Sequence, residues 1–264
     1  MKLKIIILMP EIIMYTKIIM YKPHNSISKK EYVMQEIELK KEELDFHVRE
    51  AFKTLRSNIE FTGEDVRVVA VTSCTPNEGK SSVSYHMARA FAENGDKVLL
   101  IDADLRKSVM RTHHKKGKVR LGLIHYLVGK NSFEEVCCRT DIANMDMIFA
   151  GPVPPNPSEL LGNKKFKEMI IKARKEYQYV IVDTPPVGSV IDGAVAAKVC
   201  DGTLIVIASG DVSYRFVQKV KEQLNKADCR ILGCVLNKVD LRGKGYYGKY
   251  YGRYYGKYYG NYGE

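Results

Sequence analysis

Val71 to Ser82 reads "VTSCTPNEGKSS". It is entered from a β-branched run, "VRVVAVTS" (Val66 to Ser73), and left through "KSSVSYHMARAFAENG", a helical stretch stopped by Gly95. A buried strand that passes through a loop ending Gly-Lys-Ser into a helix is the setting a phosphate-binding loop requires. Backbone N–H groups of the loop and of the helix start converge there and carry partial positive charge. The candidate nucleotide cradle is therefore Thr75, Pro76, Asn77 and Glu78, followed by Gly79, Lys80, Ser81 and Ser82. Gly79 lets the backbone approach a phosphate, Lys80 supplies a full charge to the β- and γ-phosphates, and the Ser81 hydroxyl is a ligand for Mg²⁺. Cys74 stands where the usual pattern carries its first glycine.

Working outward, "KVLLIDAD" (Lys97 to Asp104) reads as a second strand and "YVIVDTPP" (Tyr179 to Pro186) as a third. The first ends in Asp102 and Asp104, with Arg106 after them, and the second ends in Asp183. Ligands of open parallel sheets sit outside the carboxyl ends of the strands, so these acids are expected to face the same crevice as Lys80 and Ser81. Carboxylates two residues apart suit a hard cation, or one metal-linked acid and one base. An acid after an apolar strand is the usual second anchor for Mg²⁺ in P-loop NTPases. Ser81 and Asp183 are therefore candidate metal ligands, the pair Asp102 and Asp104 offers a further one, and the expected cofactors are a nucleotide, ATP in the resemblance drawn below, and Mg²⁺.

The rest of the chain follows the same alternation. "SELLGNKKFKEMIIKARKEY" reads as one helix, "GAVAAKVC" as a helix, "GTLIVIAS" as a strand, "SYRFVQKVKEQLNKA" as a helix and "CRILGCVLNKVD" as a final strand. Strands alternating with helices predict a three-layer αβα domain with a mostly parallel sheet. That P-loop domain is placed at residues 43–240. Its first element is an amphipathic helix in Asp45 to Phe61, with Val48, Phe52, Leu55 and Ile59 at helical spacing. Residues 1–42 read as an irregular extension or linker. Residues 241–264 are low in complexity and rich in Gly and Tyr, a composition expected to be disordered in isolation.

Composition narrows the partners. The chain has 264 residues and a formal net charge of +11, which suits phosphorylated ligands, anionic lipid or nucleic acid. Its six cysteines form no C-x-x-C pair, which fits reduced, mostly buried thiols rather than a zinc site. The clean apolar run near the N-terminus, Ile5 to Met9, is far short of the ~20 residues of a membrane span. No small-residue cleavage site follows it, so a signal peptide is not expected.

Taken together, "SCTPNEGKSS", "LLIDADLR" and "VIVDTPP", with "AGPVPPNPSELL" (Ala150 to Leu161) and the Tyr-rich end, resemble the bacterial tyrosine kinases of capsular and exopolysaccharide export. The resemblance covers roughly residues 45–240. It implies a protein-tyrosine autokinase in which Lys80 and Ser81 hold phosphate and metal and Asp104 and Asp183 help bind the metal. Asp102 would be the base for the incoming phenol, with Asn237 near the adenine. Arg106 joins the catalytic set as a group steadying charge or a neighbouring acid. "EAFKTLR" is similar to the family's subunit-contact motif through Glu50 and Arg56, with Lys53 where Arg is usual; Lys lacks the planar fork of Arg. The family's Arg-Pro after the second motif is replaced by "RKSVMR".

The implied acceptors are Tyr246, Tyr247, Tyr250, Tyr251, Tyr254, Tyr255, Tyr258, Tyr259 and Tyr262, in the repeat "YYGKYYGRYYGKYYGNYG". The implied partners are neighbouring subunits in a homo-oligomeric ring, a membrane polysaccharide co-polymerase that activates the kinase, and a tyrosine phosphatase. The implied location is the cytoplasm, at the inner face of the membrane through that partner. Nucleic acid is not an expected partner, although a tail alternating aromatic and basic residues could stack on bases. The rival reading is a regulatory ATPase switch of the partitioning and septum-positioning kind. Those proteins carry a second Lys early in the loop, and here that position is Thr75.

Overall fold

The structure is a computed structural model that describes residues 34–40 and 42–239. The tyrosine-rich segment and most of the N-terminal extension lie outside the described residues. Nine strands form one sheet: β1 (Gln35–Leu39), β2 (Val68–Ser73), β3 (Val98–Asp102), β4 (His114–Gly117), β5 (Cys138–Thr140), β6 (Met145–Ile148), β7 (Tyr179–Asp183), β8 (Gly202–Ala208) and β9 (Ile231–Asn237). Their spatial order is β4-β1-β5-β6-β3-β7-β2-β8-β9. From β6 to β9 every pairing is parallel, while β5 against β6 and β1 against β4 are antiparallel.

Burial explains the central strands. All six residues of β2 and all five of β3 are buried, as parallel strands covered on both faces must be. Successive side chains alternate between the layers. Val69, Val71, Leu100 and Ile181 face the core shared with helix α2 (Lys80–Glu93), against which α1 (Phe46–Glu60) also packs. Val68, Leu99, Ile101, Val180 and Val182 face the opposite core, with α3 (Leu123–Leu127), α4 (Phe133–Val136), α5 (Pro157–Gly162) and α6 (Lys164–Glu176). Ala70 and Ile205 join α7 (Asp192–Ala197) and α8 (Tyr214–Lys226) in a third cluster. The three-layer αβα architecture read from the sequence is the one observed.

Two expectations are corrected. β1 lies inside the stretch expected to be irregular: Ile37 and Leu39 are 5% and 1% exposed, and the strand pairs with β4 and β5. The alternation Gln-Glu-Ile-Glu-Leu puts its two aliphatic residues on one face, worth about 1.5–3 kcal/mol each when buried. The single helix expected from Ser158 to Tyr177 is two. Asn163 leaves the helical region (ψ 166°), and its side chain accepts a hydrogen bond from Phe166 N, starting α6 anew. The sequence pattern predicts no element between β3 and α5. That segment holds a 3₁₀ turn (Met110–His113), the short helices α3 and α4, and strands β4 to β6.

Candidate active site

β2 delivers the phosphate loop to the carboxyl edge of the sheet, and the register sets its neighbours. Val71 of β2 pairs with Asp183 of β7, and Asp183 pairs with Asp102 of β3. The strand-end acids expected to converge are therefore side by side. Helix α2 starts at Lys80, capped by Gly79 in the left-handed region at φ 91°. A side chain at Gly79 would be strained, and its Cβ would lie 2.2 Å from Asn237 Nδ2.

Lys80 is the centre of the cluster. Its Nζ lies 3.0 Å from Asp104 Oδ2, 3.8 Å from Asp183 Oδ2 and 3.2 Å from Ser81 Oγ, with only 8% of the residue exposed. Burial pulls its proton affinity down, but Asp183 and then Asp104 outweigh it, leaving the ammonium more firmly protonated than usual. Burial likewise pushes the Asp183 carboxyl up, partly opposed by Lys80 and Ser81. Asp102 is fully buried. That burial, followed by repulsion from Asp183, raises it from 3.8 to about 7, although Ser108 Oγ donates a short hydrogen bond to its Oδ2. Ala150 N and Asp104 N also donate to Asp102, at 3.4 and 3.3 Å.

One lysine thus faces three buried carboxylates. Burial raises the proton affinity of both Asp102 and Asp183, and repulsion between acids of the cluster adds to it, so the cluster holds a proton more readily than isolated carboxylates do. Asp183 Oδ1 accepts from Ser84 Oγ at 3.1 Å, whereas Asp183 Oδ2 is buried with no hydrogen-bond partner among the described residues. An unsatisfied buried carboxylate oxygen beside a serine hydroxyl and a second acid suits Mg²⁺, which binds through one or two carboxylates plus substrate phosphates. Among the described residues no cluster of three or more His, Cys, Asp or Glu would hold a metal on its own.

Other candidates take less expected places. The Glu78 side chain is 1% exposed and turns into the protein, where it accepts from Thr75 N, Thr75 Oγ1 (3.0 Å) and Ala208 N (2.9 Å). It ties the loop to the end of β8, leaving Glu78 only its backbone for an anion. Thr75 is partly exposed, Pro76 and Asn77 are exposed, and Ser82 is exposed on the first turn of α2. Asn237 sits beside the loop with Nδ2 donating to Glu78 O at 2.9 Å. Cys74 is buried, and desolvation raises its thiol to about 12, so it is a packing residue.

Arg106 is not brought to the lysine. Its Nε and second terminal nitrogen donate to Asp192 Oδ2 and Oδ1 at 2.6 and 3.2 Å, and Ser158 Oγ donates to the same carboxylate. Burial works against the Asp192 anion, but these hydrogen bonds outweigh it and hold the group below its usual value. The neighbouring acid that Arg106 steadies is Asp192, which links the segment after β3 to α5 and α7. On α1, Lys53 Nζ and Glu50 Oε1 pair at 2.7 Å on the helix surface. Arg56 turns inward, to Ala90 O and Glu60, each at 3.4 Å.

Sequence reasoning missed Ser84, Ser108, Ser158 and Asp192. Only Ser84 left a local signal, one turn after Lys80 on the same helix. A mixed-charge cavity of about 520 Å³, lined by Leu39, Glu42, Arg49, Arg89 and Glu93 among others, lies at the far end of β1 and shares no residue with this cluster.

A family signature described as "AAA domain" matches residues 66–232. Tyrosine-protein kinase CpsD of Streptococcus pneumoniae is 40% identical over 222 residues, covering 81% of this chain and 98% of that protein. Tyrosine-protein kinase YwqD of Bacillus subtilis is 40% identical over 204 residues, covering 75% of this chain and 86% of that protein. The kinase domain of Escherichia coli tyrosine kinase ETK matches with a TM-score of 0.70 at 34% identity, covering 75% of this chain and 78% of that one. The septum site-determining protein MinD of Pyrococcus horikoshii, at TM-score 0.57 and 23% identity over 69% of this chain and 73% of that one, shares the fold alone. Among the described residues no helix is long and apolar enough to cross a membrane.

Proposed function

The chain belongs to the bacterial tyrosine-protein kinases, and from that premise we propose that it phosphorylates the tyrosines of its own C-terminal segment, in neighbouring subunits, to regulate export of a capsular or exopolysaccharide. The observation that carries the reading is Lys80 held between Asp104 and Asp183 at the start of α2, beside Asp102, which titrates near neutrality. A phenol with a pKa of ~10 is a poor nucleophile at neutral pH without a base beside it. Asp102 accepts that proton as the tyrosine oxygen bonds to the γ-phosphorus and the bond from phosphorus to the β-phosphate oxygen breaks. Lys80 and the loop amides carry the charge of the transferring group.

Ser81, Asp104 and Asp183 are the residues that would hold Mg²⁺, which when bound neutralises phosphate charge and favours the ionised form of Asp102. Positioning supplies much of the remainder, since phosphoryl transfer leaves the protein little covalent chemistry of its own.

The acceptor segment fits such a crevice. Its glycines give reach, and Lys249, Arg253 and Lys257 give attraction to an acidic site that binds phosphate. Each phosphate adds about −1.5 to −2 charges near neutral pH, so several reverse the sign of the segment and weaken its docking. In this reading the subunits form a ring through Glu50, Lys53 and Arg56 that loosens as phosphate accumulates. A membrane co-polymerase holds the cytoplasmic enzyme at the inner face of the membrane and activates it, and a phosphatase resets the tail. The domain limits proposed are a catalytic unit ending near residue 240 and an acceptor segment at 241–264.

The test separates donor from acceptor. A chain truncated after Gly243 is mixed with full-length Lys80→Met in the presence of Mg-ATP. Phosphotyrosine on the full-length partner is the expected result. Its absence, with wild type active alone, rules out transfer between subunits.

A further inference from the structure

Strand β9 ends at Asn237, and the chain then passes through Lys238 in the left-handed region, at φ 56°. In the phosphate loop Asn77 is also left-handed, at φ 69°. Such a conformation is uncommon for a residue other than glycine, less so for Asn, and is held in place by surrounding contacts. The contacts run between these two segments. Lys238 Nζ donates to Asn77 O at 2.7 Å, and Asn237 Nδ2 donates to Glu78 O at 2.9 Å. Ser209 N donates to Asn237 O at 2.8 Å, fixing the strand end, while Ala208 N holds the Glu78 carboxylate at 2.9 Å.

Peptide planarity gives these bonds a consequence. In a trans peptide the C=O and the following N–H point in opposite directions. Drawing Asn77 O toward Lys238 turns Glu78 N–H away from β9. Drawing Glu78 O toward Asn237 does the same for Gly79 N–H. Those two amides lie just before the start of α2, where a phosphate is cradled. The approach is close: a Cβ on Gly79 would meet Asn237 Nδ2 at 2.2 Å, so the loop cannot lean further toward the strand.

We propose that Lys238, with Asn237, is a positioning residue for the nucleotide phosphates, aiming the Glu78 and Gly79 amides at the anion through the carbonyls behind them. This goes beyond the adenine contact expected of Asn237 and rests on the nucleotide-site reading above. Lys238 is exposed, so its bond is partly screened by solvent. The effect it carries is therefore one of affinity, not of folding.

The experiment is calorimetric titration of the full chain, wild type and variants, with Mg-ATP, Mg-ADP and Mg-pyrophosphate. Lys238→Met is expected to weaken all three by about tenfold, about 1.4 kcal/mol, with Lys238→Arg recovering most of the loss. Pyrophosphate lacks a base, so an equal loss for it locates the action at the phosphates. Weakened ADP binding with unchanged pyrophosphate binding would make Lys238 a base-side residue and overturn the proposal, as would unchanged affinities throughout. Should Lys238→Met fail to fold, Lys238→Gln, which keeps a neutral donor, gives the same readout with a smaller loss. Wild type that binds none of the three would instead overturn the nucleotide-site reading itself.

Discussion

Asp102→Asn is expected to stabilise the nucleotide-free, metal-free protein at alkaline pH while abolishing phosphoryl transfer. The folded chain holds the Asp102 proton up to about pH 7, whereas the ordinary value for this side chain is 3.8. An acid raised on folding favours the folded state while it is protonated, and that advantage is lost as pH rises from the unfolded toward the folded value. At ~1.36 kcal/mol per tenfold change in proton affinity, the loss is about 4 kcal/mol in all. About 3 kcal/mol of it falls between pH 5 and pH 8.5. Asparagine keeps an acceptor for the Ser108 hydroxyl and cannot ionise, so the variant escapes the loss. Its stability gap over wild type should widen by that amount across the interval. For a domain of this size each kcal/mol moves the melting temperature by ~2–4 °C, giving a relative gain of about 6–12 °C at pH 8.5. Thermal melts in EDTA at the two pH values measure it. A gap that does not change with pH, or that widens toward acid, would refute the placement of an uncompensated proton on Asp102.

Gly79→Ala should abolish measurable ATP binding, because a Cβ there meets Asn237 Nδ2 at 2.2 Å and φ is 91°; retained binding in an equilibrium titration would show that the loop can relax. Arg106→Ala should cost about 1–3 kcal/mol in urea unfolding, by leaving the Asp192 carboxylate short of its paired donors, with Arg106→Lys recovering only part. Leu39→Ala should cost about 2–5 kcal/mol by the same assay, because β1 is part of the core; a change within about 0.5 kcal/mol would contradict that placement.

The legible parts of the chain were those in which a local pattern and a long-range contact agree. Buried β-branched runs that end in Asp102, Asp183 or the Gly79-Lys80-Ser81 turn announce their strands, and parallel register then brings the ends together. β1 was hidden because Ile37 and Leu39 stand among Glu36, Glu38 and Lys40, so charge masked a period of two. The break at Asn163 was read through because Leu160, Leu161, Phe166 and Met169 keep an apolar face on either side of it. Strands of three or four residues between β3 and α5 carry too few side chains for a period to register.

At the site, the charges were visible and their partners were not. Asp192 lies 86 residues from Arg106, and Ala208 lies 130 residues from Glu78. Nothing local marks such pairs. The sequence places Glu78 in the nucleotide cradle without showing that its carboxylate closes over Thr75, and it places Arg106 beside an acid without showing that the acid is Asp192.

The most direct test is to incubate purified chain with Mg-ATP and map phosphotyrosine by mass spectrometry, alongside Lys80→Met. Phosphate on tyrosines between Tyr246 and Tyr262 in wild type, and none in Lys80→Met, is the expected result. ATP hydrolysis with no phosphotyrosine, even after adding the cytoplasmic segment of an activating membrane partner, would contradict it.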